Sequence, residues 1–285
     1  MAEGPSLFAN GRPFVKMQGL GNDFVVFDAV DEPLHLEPAQ VRRLADRRFG
    51  IGCDQLLLLE APRDGDSDFH YRVFNADGGE VSQCGNGARC VARLAVDSGR
   101  IAPGPVRLAT RDGLMVAEVA AGGDIRVNMG VPRFSPKDLP ARFPDARNPV
   151  SLPLAEGSLD LHLVSMGNPH AVIRVENVDE ALVETLGRAL ETHPAFPERV
   201  NVGFLEVLDT AHARLRVWER GAGETLACGS GACAAMAAGR RAGWFGPEVK
   251  MGLQGGNLVI SFESDGGPLW MQGPAEYVFR GSIRL

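Results

Sequence analysis

The sequence predicts an α+β protein built from two similar halves. Three observations carry that expectation. The stretch Cys84-Gly85-Asn86-Gly87-Ala88-Arg89 has a twin in Cys228-Gly229-Ser230-Gly231-Ala232-Cys233, and each opens a helical, Ala-containing run. The flanks of the two copies match in order at an offset of about 144 residues, half the chain, so the repeat is one duplication and not a solenoid. Short β-branched and aromatic runs bounded by Gly, Pro and Asn outnumber the helical stretches.

The matching extends well beyond the cysteines. Tyr71-Arg72-Val73-Phe74-Asn75 corresponds to Leu215-Arg216-Val217-Trp218-Glu219, and Gly79-Glu80 to Gly223-Glu224. Gly21-Asn22 corresponds to Gly167-Asn168, Gln55 to Asn201, and Arg111-Asp112-Gly113 to Gln254-Gly255-Gly256. Two halves of this kind facing each other would put the two cysteine helices on opposite sides of a cleft.

In the first half, Phe14–Met17 and Asp23–Val30 read as strands around the turn Gln18-Gly19-Leu20-Gly21-Asn22. Asn22 on its own is ordinary turn chemistry. Pro38–Arg47 reads as a short helix with Pro at its start. Leu56–Leu59 and Phe69–Phe74 read as strands, the second delivering Asn75 to a turn-rich loop. A helix from Gly85 to about Ser98 stops at Gly99. Strands at Val106–Leu108, Leu114–Val119 and Ile125–Met129 follow. Residues 132 to 153 hold six prolines and read as the connection between halves.

The second half repeats the plan. Leu159–Val164 and Ala171–Val175 flank Met166-Gly167-Asn168-Pro169-His170. Asp179 is placed to cap a helix through about Glu191. A strand follows Asn201, and Ala213–Trp218 leads to Glu219 and Arg220. A helix from Gly229 to Arg241 precedes strands near Val249–Met251, Leu258–Phe262 and Leu269–Met271. The segment from Gly273 to Phe279 reads as extended and adds an edge strand.

Composition narrows the function. With 45% hydrophobic and 23% charged residues the chain reads as a soluble globular protein. A net charge of −7 argues against nucleic acid or an anionic membrane surface as partner. Residues 1–11 lack the pattern of a signal peptide and no apolar run is long enough to span a bilayer, so the expected location is the cytoplasm. Five cysteines, Cys53, Cys84, Cys90, Cys228 and Cys233, argue against a disulfide framework. The short Cys-x2-Cys and His-x3-His pairs of a structural zinc site are missing, so no metal is expected.

A cysteine at a helix start is a chemical position, because first-turn N–H groups and the helix dipole favour thiolate and attract anions. One such position reads as a small buried cysteine at a glycine-rich helix entry; two with the same flanks point to paired chemistry. An amino acid whose carboxylate lies at both helix starts, Gly85-Asn86 and Gly229-Ser230, would present its Cα–H between two sulfurs. One thiolate would remove the proton and the opposite thiol return one, which is two-base racemisation or epimerisation. Pyridoxal phosphate needs a Schiff-base lysine, and Lys16, Lys137 and Lys250 all lie outside the duplicated motifs, so no cofactor is expected. The halves differ at polar positions: Asn75 against Glu219, Ala76 against Arg220, Phe24 against His170. His170 and Glu219 could each orient or deprotonate a thiol. On the residues alone they read equally as a hydrogen-bonded loop histidine and a carboxylate paired with Arg220.

The motifs Gly19-Leu20-Gly21-Asn22-Asp23-Phe24, Gly50-Ile51-Gly52-Cys53-Asp54-Gln55, Phe74-Asn75-Ala76-Asp77-Gly78 and Cys84-Gly85-Asn86-Gly87-Ala88-Arg89 resemble the diaminopimelate epimerase family. So do Met166-Gly167-Asn168-Pro169-His170, Glu219-Arg220-Gly221-Ala222-Gly223-Glu224-Thr225 and Ala227-Cys228-Gly229-Ser230-Gly231-Ala232-Cys233. The likeness runs in order from about residue 14 to the end. It implies interconversion of LL- and meso-2,6-diaminopimelate in lysine and peptidoglycan precursor synthesis. It implies Cys84 and Cys228 as the acid–base pair with His170 and Glu219 in support. It implies substrate binding by Asn22, Gln55, Asn75, Asn168, Asn201, Glu219 and Arg220, the last suited to a distal carboxylate by its fork. The implied fold is two pseudo-symmetric domains, 1–128 plus 274–285 and 129–273, each a mainly antiparallel sheet around a central helix. The C-terminal strand then returns to the first domain, and the expected assembly is a homodimer. Two features depart from the family pattern: the motifs do not reach residues 1–12, and Phe279 stands where some relatives carry a tyrosine.

Overall fold

The structure, a computed structural model, describes residues 11–120, 122–143, 148–153 and 157–285. Residues 1–10, read for a targeting signal, and Pro144 of the proline-rich connection lie outside the described residues. The chain divides into two compact units, Met1–Val127 with Pro274–Leu285, and Asn128–Gly273.

The first unit carries β1 (Arg12–Gly19), β2 (Asn22–Ala29), α1 (Pro38–Ala45), β3 (Gln55–Glu60), β4 (Phe69–Asn75), β5 (Glu80–Val81), α2 (Gly85–Asp97), β6 (Gly104–Thr110), β7 (Gly113–Val119) and β8 (Ile125–Asn128). The second carries β9 (Val150–Pro153), β10 (Ser158–Ser165), β11 (Pro169–Val175), α3 (Val183–Glu191), β12 (Asn201–Val207), β13 (His212–Glu219), β14 (Gly223–Thr225), α4 (Gly229–Arg241), β15 (Glu248–Leu253), β16 (Gly256–Ser261) and β17 (Trp270–Gly273). The last strand, β18 (Glu276–Ile283), belongs to the first unit and pairs antiparallel with β1.

The duplication is visible in the pairing. In the first unit β2 and β3 are parallel, β3 and β4 antiparallel, β4 and β6 parallel, and β6 and β7 antiparallel. In the second unit β11 with β12, β12 with β13, β13 with β15, and β15 with β16 repeat that series. Each parallel pair needs a crossover, and each crossover carries a helix. Most remaining pairs are hairpins, and β1 with β18 is antiparallel across the length of the chain, so the pairing is mainly antiparallel.

Burial explains why these residues form these elements. Leu56–Leu59 of β3 and Val25–Phe27 of β2 are fully buried, the continuous apolar run of strands covered on both faces. Val25, Phe27, Leu56 and Leu58 pack with Val41, Leu44 and Ala45 of α1. On the other face α2 lies against β1, β2, β3, β4 and β7, and ten of its residues, from Gly85 to Ala95, are buried. Helix α4 is held in the same way by β10, β11, β12, β13 and β16. A helix enclosed by a sheet must come close to it, and glycine permits that. A Cβ at Gly87 would run into the Tyr71 hydroxyl, with both Leu57 methyls 3.2 Å away. A Cβ at Gly187 of α3 would sit 2.6 Å from Trp218 Cβ.

One reading of the sequence needs correction. Asp179 does not cap a helix: α3 begins at Val183 after Leu182. Both Asp179 carboxylate oxygens are instead taken at 2.7 Å by Arg214, far along the chain. Within the proline-rich connection, β9 pairs antiparallel with β10.

Candidate active site

In the first unit the site is assembled where β2 and β3 begin and β4 ends, beside the start of α2. Cys84 is the N-cap of α2, extended at φ −144° and ψ 115°, and its sulfur accepts the Gly87 N–H at 3.4 Å. From β4 the Tyr71 hydroxyl donates to the Cys84 carbonyl at 3.2 Å and pins the helix entry. Tyr71 is buried, and burial first, then its neighbours Cys84 and Cys90, pushes its hydroxyl well above the usual range, so it stays a donor.

Asn22 opens β2 after a turn in which Leu20 and Gly21 both have positive φ, 58° and 83°. Its Oδ1 lies 3.9 Å from the Cys84 sulfur and accepts from Asn86 Nδ2 at 3.3 Å. Its Nδ2 donates to Asp54 at 3.0 Å. The Asn22 amide is thereby oriented with oxygen toward the thiol. Gln55 and Asn75 stand opposite each other in the β3–β4 register, Gln55 Nε2 donating to Asn75 Oδ1 at 2.8 Å. Gln55 Oε1 is buried with no partner among the described residues.

In the second unit Cys228 caps α4 in the same way, φ −108° and ψ 106°, accepting the Gly231 N–H at 3.4 Å. Its sulfur lies 3.7 Å from Ser230 Oγ. Burial, and then the neighbouring Glu219 carboxylate to which the thiol donates, push Cys228 well above the usual thiol range. The Gly231 N–H and Ser230 pull the other way and do not prevail. Thr225 donates to the Glu219 carboxylate. Cys228 is thus held as a thiol.

Asn168 Nδ2 donates to Ser230 Oγ at 3.3 Å, which turns its Oδ1 to His170 Nε2 at 3.0 Å. His170 therefore carries its proton on Nε2. Burial, then the charge of Arg220, pushes it down to about 3, so the ring is neutral at ordinary pH. His170 bonds Asn168 and acts on its surroundings as a neutral donor. Asn201 lies beside it in the β11–β12 register, donating to the Pro169 carbonyl at 2.9 Å and accepting the Arg220 N–H at 2.9 Å. Arg220 is exposed, with one guanidinium nitrogen 3.1 Å from the Glu198 carbonyl.

Within the first unit the structure therefore brings together Asn22, Gly85, Asn86 and Cys84, with Gln55 and Asn75 as a second pair. Within the second it gathers Asn168, His170, Asn201, Glu219, Arg220, Gly229, Ser230 and Cys228. Sequence reading assigned no role to Tyr71, Asp54, Arg89, Thr225 and Glu191. The buried Glu191 accepts from Trp218 Nε1 at 2.7 Å and from the Gly221 N–H at 2.8 Å, fixing the turn that carries Arg220. Asp54, Arg89 and Thr225 sit inside quoted motifs, and their position there was the available signal; Glu191 left none.

Solved structures share this architecture. A hydroxyproline epimerase from Agrobacterium vitis superposes with a TM-score of 0.70 at 16% identity, over 97% of this chain and 93% of that one. A probable proline racemase from Agrobacterium radiobacter K84 gives 0.69 at 18%, over 96% and 93%. A PhzF-family phenazine biosynthesis protein from Bacillus anthracis gives 0.69 at 17%, over 97% and 100%. The class is thus the two-unit α+β fold common to these proteins, here with a cysteine at the start of each central helix. The profile of diaminopimelate epimerase matches residues 14–135 and 162–278. The diaminopimelate epimerase of Ectopseudomonas mendocina is 50% identical over 95% of this chain and 99% of its own, and that of Alkalilimnicola ehrlichii 52% over 95% and 98%. The chain belongs to the diaminopimelate epimerase family.

Proposed function

We propose that the chain interconverts LL-2,6-diaminopimelate and meso-2,6-diaminopimelate by two-base α-proton transfer, without a cofactor, in lysine and peptidoglycan precursor synthesis. The observation that carries the proposal is the pair of duplicated N-cap cysteines, each accepting the N–H of the residue three further on. One of them is hydrogen-bonded to a carboxylate.

The chemistry follows from that arrangement. Cys84 as thiolate takes the Cα proton and becomes a thiol. Cys228, kept as thiol by burial and Glu219, delivers its proton to the opposite face of Cα and becomes a thiolate. The configuration inverts, and the reverse reaction restores the first state. The carbanion charge that develops passes into the substrate carboxylate. First-turn N–H groups at Gly85-Asn86 and Gly229-Ser230 and two helix dipoles stabilise it there. His170, being neutral, contributes a hydrogen bond and no charge. The exposed Arg220 fork suits a distal carboxylate. Gln55 Oε1, buried and without a hydrogen-bond partner among the described residues, suits an ammonium group, which would satisfy it. Asn22, Asn75, Asn168 and Asn201 complete the polar set.

We also place the protein in the cytoplasm and as a homodimer. Among the described residues no helix is long and apolar enough to cross a membrane. Val278 and Phe279 are exposed apolar residues on β18, available to a second copy.

The test is α-proton exchange of LL-diaminopimelate in D2O under reducing conditions, beside Cys84→Ala and Cys228→Ala. Exchange with appearance of the meso isomer in the wild type, and no epimerisation in either variant, is the expected result. Wild-type turnover of proline with inert diaminopimelate would reject the substrate assignment.

A further inference from the structure

Arg89 lies on α2 five residues beyond Cys84 and is fully buried. Its Nη2 donates to Asn86 Oδ1 at 2.9 Å and its Nε to the Pro274 carbonyl at 3.1 Å. With Asn86 Oδ1 occupied by the guanidinium, Asn86 Nδ2 must face Asn22 Oδ1, and Asn22 Oδ1 is the atom beside the Cys84 sulfur. A cation in the interior thus sets two amides in series, the last of which accepts from the Cys84 S–H; that oxygen favours the thiol, and the guanidinium charge acts the other way, toward thiolate. A buried charge is costly unless held by several partners, so such a residue is not a packing choice. The duplicated half breaks the symmetry at this place. Cys233 stands where Arg89 stands, and Ser230 where Asn86 stands. The Cys228 sulfur has a carboxylate, Glu219, for a neighbour instead.

We propose that Arg89 is a positioning residue for the Cys84 half-site, one that the duplicated half-site lacks: it orients the Asn86 and Asn22 amides and places positive charge behind the Cys84 helix start. The two thiols are thereby set in opposite fields, a cation behind Cys84 and an anion beside Cys228. The other titratable and charged groups near this corner are Tyr71 from β4 and Cys90 and Arg93 on α2. Beyond Asn22 stand Asp54, Asp23, Arg47 and Lys16. Cys90 feels Arg89, as it feels Cys84, which puts all three in one electrostatic neighbourhood.

The catalytic meaning rests on the two-thiol reading above, but the measurement needs no substrate. The rate of alkylation is followed against pH for Cys84 in a Cys228→Ala protein and for Cys228 in a Cys84→Ala protein. The Cys84 profile is expected to lie at lower pH than the Cys228 profile by about one pH unit or more. Arg89→Met is expected to move the Cys84 profile up by about one unit, and Arg89→Lys, which keeps the charge, to move it by less than half of that. Coincident or inverted profiles for the two thiols overturn the proposal whether or not any Arg89 variant folds. So does a folded Arg89→Met protein whose Cys84 profile is unmoved. A low Cys84 profile without diaminopimelate turnover would sustain this inference and sink the substrate assignment alone.

Discussion

The Glu219 carboxylate is bonded to the Cys228 thiol, while Thr225 donates to the same carboxylate from the next strand. A carboxylate that accepts from a thiol holds the proton in place and opposes its loss. Glu219→Gln keeps the shape and removes the charge. The alkylation profile of Cys228 in a Cys84→Ala protein should move to lower pH, because burial remains and the repulsion does not. Epimerisation should fall by about two orders of magnitude, the scale of a lost acid–base contribution. A Cys228 profile unmoved by this variant would show that burial alone sets the thiol.

Asp23 gives the prediction about pH. Burial acts to raise its pKa, but the Arg47 fork at 2.7 and 3.0 Å, Lys16 at 2.5 Å and the Asp54 N–H at 2.9 Å outweigh it, and the carboxyl is held at about 2. A folded-state pKa below the ordinary 3.8 stabilises the fold fully above that ordinary value. The stabilisation disappears as pH falls from there through about 2. Asp23→Asn should therefore unfold at lower urea than wild type at pH 7, with the gap closing by pH 2. A gap that stays constant over that range would assign the loss to geometry instead.

The two helix-entry glycines should fail differently. At Gly87 a methyl group meets Tyr71 and Leu57, which are core groups of the sheet. Gly87→Ala should cost about 1–3 kcal/mol and lower Tm by roughly 2–4 °C for each. At Gly231 the methyl group meets Val217 Cγ2 at 3.0 Å and the Cys228 sulfur at 3.2 Å. Gly231→Ala should therefore lose activity out of proportion to its thermal shift. Parallel melting curves and exchange assays on the two variants decide it.

Much of this architecture was legible because it was written twice. Cys-Gly-x-Gly-Ala marks both helix starts, and the copied flanks gave the strands that deliver Asn75 and Glu219 with errors of a residue or two. What was illegible depended on distant partners. Asp179 has the look of a helix cap until Arg214 is seen to claim it. The two- and three-residue strands Glu80–Val81 and Gly223–Thr225 are too short for any periodicity and exist because β4 and β13 offer them a partner. The orientation of the Asn22 amide, which decides whether oxygen or nitrogen meets the thiol, follows from Asp54 and Asn86 together. Glu191 carries no motif and matters only because Trp218 and Gly221 converge on it.

The pairing of β18 with β1 has a consequence for the order of synthesis. Arg12 meets Ile283 across that ladder, and the Pro274 carbonyl on Arg89 comes from the same late segment. Every residue of the Cys84 half-site has left the ribosome long before its last two supports exist. A nascent chain halted short of Pro274 would carry β1 with an open edge and Arg89 missing an acceptor. The Cys84 half-site is therefore completed only after the second unit has been translated in full.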